Sequence, residues 1–405
     1  MKKILIVTIL FGMFCSCALA EEQNADFNFR FFLTQQDEYM DWWYAIPSRF
    51  GPHISEINNV AKKEYFKIMP FFNNYGRDEK NNVEITYDLT ILRSDHSIYE
   101  QIKNIEGFSG KFKNSYLIPA KDRLVVCFEP EDNWGDYIVK IEAFDKIKNQ
   151  KVVQEKKINL KPFELPQVEK DEMEWIFTYP SAPTPEKAMA GFLNASRPYI
   201  GKDGDVLWSA IWFYRKVFEE NDFLIPETIK FFKEEANIQQ KKDIILLFSF
   251  LNMTKKLDLK GDLKKYSKEV KRIKILDPYS KIINPDQLDM LWAEFFATAR
   301  VKPIRQIISS FYLSKYMGTL KKVKKQELDV NSKKVEKEVM FEATFSSALW
   351  SLESNCSQSS LLYQYCVGII ESKELNDNEK GYLGSILNSV YEKSKKEKEQ
   401  KDKNL

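Results

Sequence analysis

The sequence predicts an α+β protein whose two classes sit in separate domains: an antiparallel β-sandwich first, then an all-α helical-repeat or bundle domain. Three observations predict it. Apolar residues recur with a period of two from Asp26 to about Leu165, and the period turns helical from about Pro183. Between the two regions, "LKPFELPQVEKDEMEWIFTYPSAPTPE" carries five prolines. Proline lacks a backbone donor and disfavours helix in the residue before it, which predicts an extended connection with a boundary near residue 175. A chain of 405 residues, 43% hydrophobic and 14% aromatic, has enough apolar material for two cores.

The first residues, "MKKILIVTILFGMFCSCALAEEQ", have the pattern of an export signal. Lys2 and Lys3 precede an apolar run too short to span a bilayer, and Ala18-Leu19-Ala20 is a small-residue cleavage site. The expectation is a signal peptide over 1–20, a mature start at Glu21, and a periplasmic or secreted location. The alternative is a lipid anchor on Cys17, which has Phe14 rather than Leu three residues before it. After residue 20 no apolar stretch approaches the ~18 residues of a membrane helix. Once the signal is removed, three of the five cysteines remain: Cys127, Cys356 and Cys366.

Residues 21–165 read as the β domain. "NVEITYDLTIL" alternates Val83, Ile85, Tyr87, Leu89 and Ile91 against Glu84, Thr86, Asp88 and Thr90, the mark of a strand with one wet face. "YFKIMPFF" and "DRLVVCFEP" are further strand-type runs rich in aromatic and β-branched residues. "GDYIVKIEAFD" and "VVQEKKINL", joined by "KIKNQK", form a hairpin. The carboxylates Glu129, Glu131, Asp132 and Asp136 lie on the turn that delivers the chain into it. There Asp and Asn bond local backbone and Gly135 permits a tight bend, and the twelve-residue spacing of a calcium loop is missing.

That hairpin resembles the last two strands of immunoglobulin-like modules in bacterial secreted proteins, which implies an immunoglobulin-like sandwich. The Cys-Trp-Cys core of true immunoglobulin domains is not present, since Cys127 stands alone in this half.

After a linker over 166–183, residues 184–398 read as helical, with a charged tail over 399–405. "TPEKAMAGFLNA" places Thr184 at a cap, Pro185 in the first turn and Glu186 beside the positive helix end. Helices follow at roughly 204–221, 226–236, 238–253, 259–272, 285–299, 303–317, 334–356, 359–373 and 376–398, by apolar periodicity. Leu288, Leu291, Trp292, Phe295 and Ala299 form one stripe, and Ile304, Ile307, Ile308 and Phe311 form the next, predicting an antiparallel pair. A second pair sets Phe341, Phe345, Ala348, Leu349 and Leu352 against Leu361, Leu362, Tyr365 and Ile369. "LDMLWAEFFATA" resembles a phrase of secreted bacterial proteins that join an immunoglobulin-like front to a helical back, and which usually have Gly where this chain has Ala299. That group has no assigned activity to carry over. The lysine-rich stretch 320–338 reads as a solvated connection, and Lys393 with Glu397 as a helical ion pair in a fraying end.

Net charge is +2 from 61 basic and 59 acidic residues, so no long-range pull toward nucleic acid or anionic membrane is predicted and any partner must be recognised locally. No catalytic motif, cofactor motif or metal-ligand spacing is present in the sequence, and the two histidines, His53 and His96, both fall in the β half and read as structural. Candidate binding residues are Trp42, Trp43 and Trp134, whose rings could stack on a sugar but which equally serve packing. Cys356 and Cys366 are close enough in sequence for a disulfide. Two helices turning near Gln358 would offset them by about 9 Å along the axes at ~1.5 Å per residue, so they are expected to stay unbridged. The function expected is an exported, non-catalytic binding or assembly protein of the bacterial cell envelope, engaging a protein or an envelope polymer. The alternative is an envelope hydrolase working on glycan or peptide through carboxylates that have no local signature.

Overall fold

The computed structural model describes residues 26–36, 43, 45–47, 49–50, 54–112, 117–122, 124–165, 172–193, 199–200, 207–329 and 331–403. The export signal with Cys17 and Glu21, together with Trp42 and His53, lies outside the described residues.

The β region contains β1 (Asn28–Thr34), β2 (Asn59–Val60), β3 (Tyr65–Asn73), β4 (Asn82–Leu92), β5 (Ile98–Lys111), β6 (Leu117–Pro119), β7 (Leu124–Cys127), β8 (Gly135–Asp145) and β9 (Gln150–Leu160). In one sheet β1 and β3 pair, and β3 also carries β6 and β7; the other runs β2-β9-β8-β4-β5. The alternation in β4 is realised as predicted: Val83, Ile85, Tyr87, Leu89 and Ile91 are each at most 1% exposed. They meet Phe29 and Phe31 of β1, Phe66 and Ile68 of β3, and Val139 and Ile141 of β8 in one apolar cluster. Residues of both sheets therefore share a core. The pairing is antiparallel except at β2, which runs parallel to β9 through Asn59–Asn159 and Val60–Leu160, a departure from the fully antiparallel expectation.

Strand β3 is buried on both faces. Phe66, Ile68 and Phe72 point into the shared core, whereas Met69 and Phe71 point outward and are covered by Phe32, Trp43, Ile54 and Leu117. The continuous apolar run "YFKIMPFF" is the consequence, because a strand covered on both faces has no wet side to alternate with.

The helical region holds α1 (Glu172–Thr178), α2 (Glu186–Leu193), α3 (Trp208–Glu220), α4 (Leu224–Glu234), α5 (Ile238–Phe250), α6 (Gly261–Val270), α7 (Pro285–Thr298), α8 (Val301–Ser309), α9 (Thr319–Lys324), α10 (Lys333–Gln358), α11 (Ser360–Glu371) and α12 (Asp377–Lys403). Short 3₁₀ segments cover Thr254–Lys256 and Ser310–Tyr316, the second finishing the helix expected over 303–317. Starts follow local capping. Asn237 and Gln240 form a reciprocal capping box at α5, and the Asn284 side chain accepts from Gln287 N before Pro285 opens α7. Helix α7 is the hub of the region, packing on α1, α3, α8 and α10, while α12 returns to α8, α10 and α11. Contacts between helices so distant in sequence go beyond those of successive hairpins.

Three local readings are corrected. The extended connection over 166–183 contains α1, because Pro166 and Pro180 leave an uninterrupted stretch between them in which Trp175 packs against Tyr179, Phe213 and Tyr214. The lysine-rich stretch after residue 319 begins as α9, whose first amides are held by the Glu342 carboxylate, from Gly318 N at 2.9 Å and Leu320 N at 2.6 Å. Lys393 pairs with Glu353 of α10 at 2.5 Å rather than along its own helix, and α12 continues to Lys403.

Candidate functional site

The chain leaves the β region at the end of β9, passes through α1 and enters α2 at Glu186. Between β9 and α2 lies a cleft of about 590 Å³, bounded by residues 56–61, 161–165 and 183–186 and floored by Gln35 and Glu64. Glu64 is the buried charge of this cleft, 5% exposed. Its Oε2 accepts from Ala61 N at 2.6 Å and its Oε1 accepts from the Gln35 side-chain amide. Burial pushes the Glu64 carboxyl up to about 7, with the neighbouring Glu186 adding to the effect while the Ala61 amide, Gln35 and Lys161 oppose it. Glu186, half-buried at the start of α2, is likewise raised by burial. The Thr184 hydroxyl beside it accepts from Trp175 Nε1 at 2.7 Å, tying the entrance of α2 to α1. Next to Gln35, Gln36 crosses the seam: its amide donates to Ser181 O at 3.1 Å and its oxygen accepts from Ser55 N at 3.1 Å.

A carboxyl so placed is a general acid or base poised near neutral pH, and two carboxyls lining one cleft are the raw material of a hydrolase. Sequence reasoning missed Glu64. It sits between Lys63 and Tyr65, where a lone Glu among lysines has the pattern of a wet turn, and only the packing of β2 and Gln35 over it reveals the burial.

The raised carboxyl has a measurable signature. Because Glu64 prefers its protonated form in the fold, its contribution to stability is fully present below the ordinary carboxylate range near 4.5 and is lost as pH rises through about 7. Glu64→Gln, which keeps an acceptor for Ala61 N, is expected to melt with wild type at pH 4. At pH 8 it should be the more stable by about 3 kcal/mol, a few degrees in melting temperature. Parallel melting curves at pH 4 and pH 8 would show that the carboxyl titrates in its ordinary range.

Glu129, Glu131 and Asp132 lie on the turn before β8, and Asp136 is the second residue of the strand itself. Asp132 accepts from Glu129 N at 2.6 Å and from Tyr99 OH at 2.7 Å, Glu129 pairs with Lys63, Asp136 accepts from Asn159 Nδ2 at 2.7 Å, and Gly135 has φ +132°. Trp134 stands at the end of that turn, half exposed, with Lys62 Nζ 4.0 Å from its ring centre. Trp43 is placed differently: its ring lies 5.4 Å from Phe71 on the outer face of β3. The two therefore sit on different surfaces. His96 occupies a left-handed position (φ 63°) in the turn between β4 and β5. Cys356 and Cys366, expected to be offset along their helices, face each other with sulfurs 3.6 Å apart. Among the described residues, no group of three His, Cys, Asp or Glu side chains is arranged to hold a metal ion, and no helix is long and apolar enough to cross a membrane.

No family model and no curated protein matches the chain. Among solved structures, the chain is similar to a Salmonella alpha-2-macroglobulin reacted with methylamine, at 9% identity and a TM-score of 0.16. That alignment covers 90% of this chain and 26% of the other, and a likeness of this size carries no argument about either fold or function.

Proposed function

We propose that this chain is an exported, non-catalytic binding or assembly protein of the bacterial cell envelope, and that its helical region engages a protein or an envelope polymer. One observation carries the reading. Trp350, 72% exposed, stands on the outer face of α10 in line with Met340, 45% exposed. Positions 340, 343, 347 and 350 fall on one stripe of the helix, so the two large side chains flank the small Ala343 and Ser347 along a single outward ridge. An exposed Trp beside small residues is the kind of anchor that interfaces bury, and a net charge near zero leaves recognition to such local features. The front is read as an immunoglobulin-like sandwich, supported by the core its two sheets share, and the back as a bundle, supported by the contacts of α7 and α12 with distant helices. Photo-crosslinking tests the site. A photoreactive phenylalanine at position 350 is expected to give one discrete adduct in intact cells, while the same group at exposed Lys395 gives none. An absent adduct at 350, or equal adducts at both positions, would sink the reading.

A second reading, a hydrolase acting on glycan or peptide, is favoured by the Glu64 and Glu186 cleft at the seam. Hydrolysis by the wild type that Glu64→Gln abolishes would establish it.

A further inference from the structure

Cys356 occupies the last turn of α10 and Cys366 the second turn of α11. The offset expected from an antiparallel hairpin does not arise. Helix α10 runs on to Gln358, Ser359 alone is extended, and its hydroxyl accepts from Leu362 N to start α11 at once. The two helices meet at the corner made by Ser359, and the residues that carry the two sulfurs belong to one buried apolar cluster. The sulfurs are 3.6 Å apart, and the residues are 4% and 0% exposed. The two sulfurs are not bonded to each other, and the hydrogen bond with Cys356 together with burial holds the Cys366 thiol well above its ordinary value.

From this juxtaposition we propose that Cys356 and Cys366 form an intramolecular disulfide, a clasp that locks the α10–α11 corner. Small side-chain rotations bring sulfurs already in contact to the ~2.05 Å of a bond. Resting on the proposed export, the oxidant is a disulfide of that compartment, a small-molecule disulfide or a protein disulfide. One cysteine thiolate attacks a sulfur of that disulfide, forming a mixed disulfide and releasing one thiolate. The second cysteine thiolate then attacks the Sγ of the first cysteine in that mixed disulfide, forming the Cys356–Cys366 bond and releasing the reagent's remaining sulfur as a thiolate. Two cysteines lose two electrons, the reagent disulfide gains them, and the two protons from the cysteines end on its two thiols. Exchange takes place before the corner closes, since both sulfurs are inaccessible afterwards.

The clasp has a structural target. Gly368 and Glu371, just beyond Cys366, hold the chain between β1 and β2 at Ala45, by close backbone approach, and at Arg49, by the Arg49–Glu371 ion pair at 2.6 Å. Fixing α11 at Cys366 therefore fixes the platform on which that segment rests. Cys127, half-buried in β7, supplies an internal control on the same chain.

The test refolds the full-length protein in a mixture of oxidised and reduced glutathione, alkylates it under denaturing conditions without reductant, and digests it. The result expected is a peptide joining Cys356 to Cys366, about 2 Da lighter than the sum of its reduced halves, with Cys127 alkylated or glutathionylated. Wild type should also lose several degrees of melting temperature on reduction while Cys356→Ala/Cys366→Ala does not respond. Free, alkylated Cys356 and Cys366 after this treatment, a bridge from either to Cys127, or a reductant effect equal in the double variant would each overturn the proposal.

Discussion

Gly368→Ala is expected to destabilise the protein by about 3 kcal/mol or more, against the ordinary sign for a glycine inside a helix. Replacing a helical glycine with alanine normally stabilises by up to ~1 kcal/mol, because the unfolded chain loses freedom and the helix gains propensity. At position 368 the new methyl would fall 1.8 Å from the carbonyl oxygen of Ala45, with Ala45 C at 3.0 Å and Pro47 Cδ at 3.4 Å. The obstruction is backbone on one side and helix on the other, so neither rotates away and α11 must separate from the segment. Gly381, exposed in α12, is the matched control: a methyl there meets nothing within 4 Å, and Gly381→Ala should stabilise by ~0.5–1 kcal/mol. Urea unfolding of the two variants beside wild type reads opposite signs. If Gly368→Ala were neutral or stabilising, the close approach of Ala45 to α11 would be wrong.

Glu294→Ala should cost a similar amount, about 3–5 kcal/mol, through a different mechanism. Glu294 lies 4% exposed in the hub helix α7, accepts from Tyr279 OH at 2.7 Å and Trp212 Nε1 at 3.3 Å, and sits 3.7 Å from Lys216 Nζ. Removing the carboxylate strands the buried Trp212 indole and the half-buried Tyr279 hydroxyl, and leaves Lys216 with Glu219, at 3.0 Å, as its remaining ion-pair partner among those described. Burial and the hydrogen bond to Glu294 push the Tyr279 phenol far up, so the tyrosine stays a donor throughout the usable pH range. Glu294→Gln keeps an acceptor for Tyr279 and should lose less than half as much. Equilibrium unfolding in urea decides it: an alanine variant within 1 kcal/mol of wild type would mean that the cluster stabilises nothing.

Neither residue announces itself in the sequence. Gly368 in "QYCVGIIE" has the pattern of an incidental helix glycine, and Glu294 in "LDMLWAEFFATA" is one of three polar residues, with Asp289 and Thr298, in a mostly apolar run. What marks them is a contact with chain 323 residues away in one case and the union of three elements in the other. Ala299 shows the opposite situation. Its φ of 56° places it in the left-handed region at the end of α7, where glycine carries no penalty. Tyr365 OH holds its carbonyl at 2.8 Å and α8 follows at once, so the turn survives with alanine in place.

Element type and order were legible because they depend on local periodicity and local start signals. The strand β4, the β8–β9 hairpin, and the α7–α8 and α10–α11 pairs all rest on apolar stripes visible within a dozen residues. Strand β5 was not legible, since it is a largely exposed edge strand with three register shifts against β4, and an edge without a buried face has no alternation to read. The cleft around Glu64, the seam through Gln36, the docking of Ala45 and Arg49 on α11 and the meeting of Cys356 with Cys366 were decided by tertiary structure alone. Each depends on the angle at which one element crosses another, set by side chains from several distant segments packing at once, and a one-dimensional pattern holds no record of that angle.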